Sequence, residues 1–295
     1  MKTSLRPASA LLTVPLILLT GCLFTTRKLP VPRAPSIVQT VSPADLVNCM
    51  NKRWDQMKTL NATVEIQASV LKTHEGVEKD YTSFRGHILI RKPGFLRVLG
   101  QVPMLGTRMF DMVSDGKKFM LYIPSKDKVV TGSNELHKKS PNRVENLRPG
   151  PFFDSMVVRG LEPGDLYSVT ADSDTVEDAS KKHLLVIPEY ILSIMRQKSD
   201  SQELEPVRIV HFHRDDLLPY QQDLYDSNGN LETQVFYSKY ENYGGIKYPS
   251  RVTIKRPMED YQVVITVDKL VENMPLTDDQ FVLNYPEGTK VQTLQ

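Results

Sequence analysis

The sequence predicts a mainly β, α+β protein: an antiparallel sheet of roughly ten or eleven strands, large enough to curl into an open or closed barrel, behind one long N-terminal helix and with one short helix in the middle. Three observations carry this. Apolar and polar residues alternate with period two through most of the chain after Asn61. Most connections between the alternating runs are short, whereas a parallel crossover needs about a dozen residues or more. One long stretch, ahead of all the strands, has helical spacing instead.

The chain opens with a short basic start, Lys2 and Arg6, and an apolar run from Ala8 to Leu19 broken by Pro15. That is the layout of a secretory signal over residues 1–21. The run is too short to cross a hydrocarbon core of about 30 Å. It ends in Leu19-Thr20-Gly21-Cys22, which resembles the lipobox of bacterial lipoproteins. The resemblance implies that Cys22 is acylated and becomes the new N-terminus; an ordinary signal with a chance cysteine is the alternative. Acylation of Cys22 leaves Cys49 without a partner, and a Cys22–Cys49 bridge is the other possibility. Residues 22–41, with Pro30, Pro32 and Pro35, read as a tether, and residues 42–295 as the folded domain. At about 3.1 Å per residue the tether spans on the order of 50–60 Å.

The totals fit that domain. Of 295 residues, 40% are hydrophobic, enough for a core. The net charge is +2, and Lys2 and Arg6 account for it, so the remainder is balanced. A basic surplus or stripe marks nucleic-acid binders, and none is present.

Ser42-Pro43-Ala44-Asp45 is a helix start: a serine N-cap, proline in the first turn and an early acid. Leu46, Met50, Trp54, Met57 and Leu60 follow at helical spacing and predict a helix to about Leu60. Strands are then predicted over 62–73, 83–91 and 95–101, with turns at Glu75-Gly76 and Lys92-Pro93-Gly94. Residues 102–106 break the pattern as a loop. Strands over 107–114 and 117–123 flank an Asp115-Gly116 hairpin turn, and a short strand covers 128–131. Residues 132–148 are polar and basic without a period. Pro151 to Val158 predicts the short helix, with Phe152, Phe153, Met156 and Val157. Strands resume over 166–171 and 182–188, with the acidic residues 172–180 read as the turn between them. Five more follow over 207–214, 217–225, 231–240, 248–256 and 261–272.

Four passages in this order resemble the LolA/LolB-like lipoprotein-sorting superfamily. They are Trp54 to Ile66 (helix into first strand), Phe84 to Arg97 (second and third strands), Val113 to Pro124 (the Asp-Gly hairpin) and Asp279 to Val291 (a closing strand and Pro-x-Gly end). The resemblance implies a single-domain unclosed barrel with a helical lid, whose concave apolar face holds acyl chains. Soluble carriers of the family place an arginine before the proline of the second turn to latch the lid. Here that position is Lys92, with Arg91 one residue earlier, and adjacent strand residues face opposite sides. Anchored receptors of the family carry a Pro-Leu-Gly loop whose leucine touches the membrane. Here it reads Pro103-Met104-Leu105-Gly106, one residue longer. Met104 and Leu105 are therefore candidates for membrane contact, with ordinary loop packing as the alternative.

The alternating residues Val64, Ile66, Ile88, Ile90, Val98, Phe119 and Leu121 line the cavity in the open-barrel reading and are plain core otherwise. His211 and His213 share a strand face near Asp215 and Asp216, but no third and fourth metal-ligand spacing follows. The acids of 172–178 lack the spacing and glycine of a calcium loop. No G-x-S-x-G, phosphate loop or C-x-x-C is present. The expected function is therefore non-enzymatic, without metal or cofactor. It is that of a lipid-anchored monomer that binds the acyl chains of a lipoprotein or lipid and assists their transfer, possible partners including a soluble LolA-like carrier. By resemblance to enteric lipoproteins, Leu23 after Cys22, in place of an inner-membrane retention aspartate, favours the outer membrane, with the domain facing the periplasm. A structural or sensory module recognising a protein, and a hydrolase with an unrecognised site, are the alternatives.

Overall fold

The computed structural model describes residues 38–72, 77–134, 149–177, 184–199 and 201–294. Cys22, the signal and the tether up to residue 37 lie outside them, as do residues 135–148 of the basic middle segment. Residues 38–41 are already docked: the Gln39 amide donates to the Arg214 carbonyl at 2.7 Å, and the Val41 amide to the Tyr190 hydroxyl at 3.2 Å.

Helix α1 (Pro43–Gln56) starts where the sequence places it, with the Asp45 amide donating to the Ser42 hydroxyl at 3.1 Å and Pro43 in the first turn. It ends four residues short of the predicted Leu60. Met57 is extended, with φ −79° and ψ 120°, and Leu60 belongs to the first strand. Both are buried, so the apolar spacing continues through the helix end and hides it from a periodicity count.

The strands are β1 (Thr59–Lys72), β2 (Val77–Asp80), β3 (Phe84–Arg91), β4 (Phe95–Gln101), β5 (Arg108–Ser114), β6 (Lys118–Ile123) and β7 (Lys128–Ser133). After helix α2 (Pro149–Met156) come β8 (Asp165–Glu177), β9 (Leu184–Gln197), β10 (Leu204–His213), β11 (Pro219–Tyr225), β12 (Leu231–Tyr243), β13 (Ile246–Arg256), β14 (Tyr261–Glu272) and β15 (Lys290–Thr293). They form one 15-stranded sheet in the order β15-β7-β6-β5-β4-β3-β1-β14-β13-β12-β11-β10-β9-β8, with β2 paired to β1. The count exceeds the predicted ten or eleven. The sheet is open, with β15 and β8 as its edges, and β15 runs parallel to β7, so it is not wholly antiparallel.

Three strand readings are corrected. The acidic residues 172–177 are not a turn but the end of β8, paired with β9 from Asp172↔Glu189 to Glu177↔Leu184. β8 is a sheet edge exposed along nearly its whole length, so burial imposes no alternation on it. β9 runs through Pro188, where the sequence reading stops it, to Gln197. The tail segment 279–284 is not a closing strand: Asp278–Phe281 is a 3-10 turn held by a Thr277–Gln280 capping box.

Helix α2 fills the inner face. Neighbouring strands lie about 4.8 Å apart, so β5 and β13, five steps apart along the sheet, would be roughly 24 Å apart if it were flat. Helix α2 touches both, so the sheet curls around it. Its Phe152, Phe153 and Met156 join one core cluster with residues from β1, β3 to β7 and β12 to β14. A second cluster packs Leu46, Val47 and Met50 of α1 on Tyr190, Leu192, Ile194, Val210 and Phe212.

Candidate functional site

All seven residues predicted to line a cavity are buried in the core cluster that surrounds α2. On β1, β3 and β4 they share the inner face with Gly86 and Gly100, which are paired across β3 and β4. A Cβ on Gly86 would sit 2.8 Å from Ile66, and one on Gly100 would sit 2.5 Å from the Phe110 ring. The glycine pair thus makes a recess that those two side chains fill.

Helix α2 is secured at its C-terminal end, where backbone carbonyls lack partners within the helix. Gln222 Nε2 donates to the Asp154 carbonyl at 2.8 Å, and the Tyr248 hydroxyl to the Met156 carbonyl at 2.6 Å. Burial pushes the Tyr248 phenol well above its ordinary pKa, so it stays a donor. Arg159 pairs with Asp154 and stacks 4.7 Å from the Phe153 ring centre.

Lys92, the latch candidate, engages α1 rather than α2. Its Nζ donates to the Trp54 carbonyl at 2.6 Å and lies 4.0 Å from the centre of the indole. A cation at a helix C-terminus suits both the free carbonyl and the dipole. Burial lowers the ammonium's pKa, with Asp55 acting in opposition. Arg91 points to the other side, as strand alternation requires. It donates to the Leu276 carbonyl at 3.0 Å and pairs with Asp278 at 2.6 Å.

Met104 and Leu105 form the tip of the β4–β5 loop with nothing over them: they are 105% and 75% exposed, more than any other large apolar side chain among the described residues. Met104 has φ +64°, Gly106 has φ +65°, and the Gly106 amide closes the turn on the Val102 carbonyl at 3.0 Å.

Sequence reasoning missed a polar cleft of about 470 Å³ between α2, the segment after it and strands β8 to β13; none of the seven predicted residues lines it. Four arginines enter it. Arg159 pairs with Asp154; Arg196 pairs with Asp165 at 2.6 Å and Glu162 at 3.3 Å; Arg256 pairs with Glu259 at 2.8 Å and Glu232 at 3.2 Å. Arg208 has no carboxylate partner among the described residues. It is 5% exposed, donates through Nη2 to the Gly160 carbonyl at 2.5 Å, and leaves its Nε without an acceptor. Beside it Gln222, 1% exposed, leaves Oε1 without a donor. Inward positions on β10 run Val210 and Phe212 and then turn to Arg208 at this end, and this break in an apolar face is the signal that was available in the sequence. At Val157 the cleft adjoins a slot of about 70 Å³ lined by Trp54, Met57, Met156, Tyr237 and Tyr240.

His211 and His213 serve a different arrangement on the outer face. His211 Nδ1 lies 2.9 Å from Glu189 Oε2, which also accepts from the Tyr220 hydroxyl at 2.5 Å, and His213 stacks on Tyr220 at 4.2 Å. Among the described residues no group of three or more His, Cys, Asp or Glu is placed to hold a metal.

An open sheet curled around a short helix, with a longer N-terminal helix beside it, is the LolA-like fold that the sequence motifs implied. The chain resembles a DUF1329 family protein from Desulfovibrio piger at 16% identity and TM-score 0.52, covering 81% of this chain and 95% of that one. It resembles a LolA superfamily protein from Nitrosomonas europaea at 14% identity and TM-score 0.51, covering 83% and 99%. No protein-family model and no curated protein matches the sequence.

Proposed function

We propose that the chain binds the acyl chains of a lipid or acylated lipoprotein on the inner face that α2 covers, and helps deliver them to the outer membrane. The observation that carries this reading is α2 itself. An otherwise continuous apolar sheet face is completed by one eight-residue helix, through Phe152, Phe153 and Met156. A helix this short is marginal on its own and depends on its packing. Acyl chains that replace α2 on the face gain about 0.8 kcal/mol per buried methylene, against the exposure of the helix's own side chains and the chains' burial in a bilayer. Transfer requires that the net difference be small, so that chains are both taken up and released. No bond is made or broken. An acylated Cys22 anchors the chain in the bacterial envelope, Met104 and Leu105 add a second membrane contact, and a soluble LolA-like carrier is a fitting donor.

The test is lipid analysis of the purified full chain by mass spectrometry, with Ile90→Glu beside the parent. Ile90 is wholly buried on the inner face, and a carboxylate there costs several kcal/mol if the face stays dry. The parent is expected to carry lipid and the folded variant to lose it. Equal lipid content in a folded Ile90→Glu protein, or none in either, overturns the reading.

A further inference from the structure

We infer that the polar cleft receives the head of a zwitterionic lipid, its phosphate on Arg208 and its ammonium on Gln222. The inference rests on the acyl-binding reading and adds the headgroup class to it. Among the described residues, three of the four arginines in the cleft pair with carboxylates, and Arg208 does not. Asp154, Asp165 and Glu162 lie close enough to favour its charge, but its Nε–H, on a side chain 5% exposed, has no anionic acceptor, and an unmet buried donor is costly. Nothing from α2 or the neighbouring strands supplies one. Gln222 defines the second half of the ligand. Its amide orientation is fixed, because only an NH₂ group can donate to the Asp154 carbonyl, so Oε1 is the end left over and it requires a donor. Val210 pairs with Gln222 and Arg208 with Leu224, so Arg208 and Gln222 are diagonal neighbours on adjacent strands. Such positions lie about 7–8 Å apart at the backbone, within the span of one small group held between two side chains.

The remaining charge selects the sign of the donor. Carboxylates outnumber guanidiniums around the cleft, which favours a cationic donor over a neutral one. A single ligand that presents an anionic acceptor and a cationic donor side by side, as phosphoethanolamine does, satisfies both atoms at once. The cleft's volume of about 470 Å³ suits a headgroup and not a whole lipid. Val157 lines both the cleft and the slot beside α1 and α2, so a head in the cleft lies one side chain away from that slot.

The experiment titrates the purified full chain with dihexanoyl phosphatidylethanolamine, dihexanoyl phosphatidylglycerol, glycerophosphoethanolamine and palmitate, by calorimetry. Phosphatidylethanolamine is expected to bind at least about fivefold tighter than phosphatidylglycerol, which lacks the ammonium. Arg208→Gln should weaken both by about tenfold or more, the loss of one charge-assisted hydrogen bond. Gln222→Leu should erase the preference between them. Glycerophosphoethanolamine should bind more weakly than the short-chain lipid; equal affinity would make a free zwitterion the ligand and overturn the lipid assignment. Equal or stronger binding of phosphatidylglycerol, or affinity indifferent to Arg208→Gln, overturns the proposal. If Arg208→Gln does not fold, the preference in parent against Gln222→Leu decides alone. A parent chain that binds palmitate without headgroup preference sinks this inference and leaves the acyl-binding reading standing; one that binds neither sinks both.

Discussion

Asp111 is wholly buried although it lies on the outer face of the sheet, away from the main core. Arg97 grips it with both prongs, Nε to Oδ1 at 3.0 Å and Nη2 to Oδ2 at 2.7 Å, and Arg108 lies 3.5 Å away. The third nitrogen of Arg97 donates to the Gln280 carbonyl at 2.9 Å. Arg97→Met strips a buried carboxylate of its main partner, for which about 3 kcal/mol is expected, near the low end for broken buried pairs because Arg108 remains. Adding Asp111→Leu removes the stranded charge and should recover most of the loss. Urea midpoints of the two variants check this; a double variant as unstable as the single one means that the tail contact, not the carboxylate, carries the cost.

Among elements, the β5–β6 hairpin and the β4–β5 loop are the most testable. The Asp115 carboxylate accepts from the Lys118 amide at 2.7 Å and the Lys117 amide at 2.8 Å, and Gly116 takes φ +93° behind it. These bonds, that from Lys118 first, hold Asp115 below the usual aspartate pKa, with desolvation opposing them. A depressed folded-state pKa stabilises the fold above the ordinary aspartate pKa, and the contribution is lost as pH falls through the folded value. Asp115→Ala should therefore lower the urea midpoint at about pH 6, and the gap to the parent should shrink as pH falls to about 3. A gap independent of pH would assign the effect to the turn's backbone alone. For the β4–β5 loop, Met104→Glu with Leu105→Glu should leave the melting temperature unchanged, because neither side chain is covered. Liposome association and lipid transfer should fall, since burying two such side chains contributes on the order of 2–4 kcal/mol. Equal transfer at equal stability rules out membrane contact.

For the whole molecule, the tail is a strap. After β14 it crosses the outer face of β3, β4 and β5, where Arg91, Arg97 and Arg108 donate to the carbonyls of Leu276, Gln280 and Asn284. Phe281 packs on Phe95 at 5.5 Å, and Leu283 is buried with Val113, Tyr122 and Val129 before β15 joins the sheet edge at β7. The strap covers the outer face while α2 covers the inner one, so this part of the sheet is packed on both sides. In the proposed reading the other end of the chain, at Cys22, is the anchor. Cys22→Ser should abolish incorporation of a fatty-acid probe and leave an unprocessed precursor; equal labelling of mutant and parent would reject the lipobox assignment.

Much of the architecture was legible in sequence because it is local. Ser42-Pro43, Asp115-Gly116 and the period-two runs each act through neighbouring backbone; the start of α1 and most strands stand where these signals place them, and α2 lies two residues earlier than its apolar residues predicted. Burial of Val64, Ile66, Ile88, Ile90, Val98, Phe119 and Leu121 was likewise written in the alternation, since one-sided burial is what alternation records. What failed was non-local. Edge strand β8 is exposed and so carries no burial pattern, and the tail's buried Phe281 and Leu283 answer to a sheet far away in sequence. The polar cleft belongs to the same class: Arg208 interrupts the apolar inward face of β10, but only the curl of the sheet around α2 sets its free Nε–H and the free Oε1 of Gln222 in one cleft. Sequence alone determined which residues turn, alternate and face inward, because those depend on backbone geometry over a few residues. The tertiary structure decided which inward charges find partners, because an ion pair depends on distance in space, and that distance is set by the packing of the entire sheet.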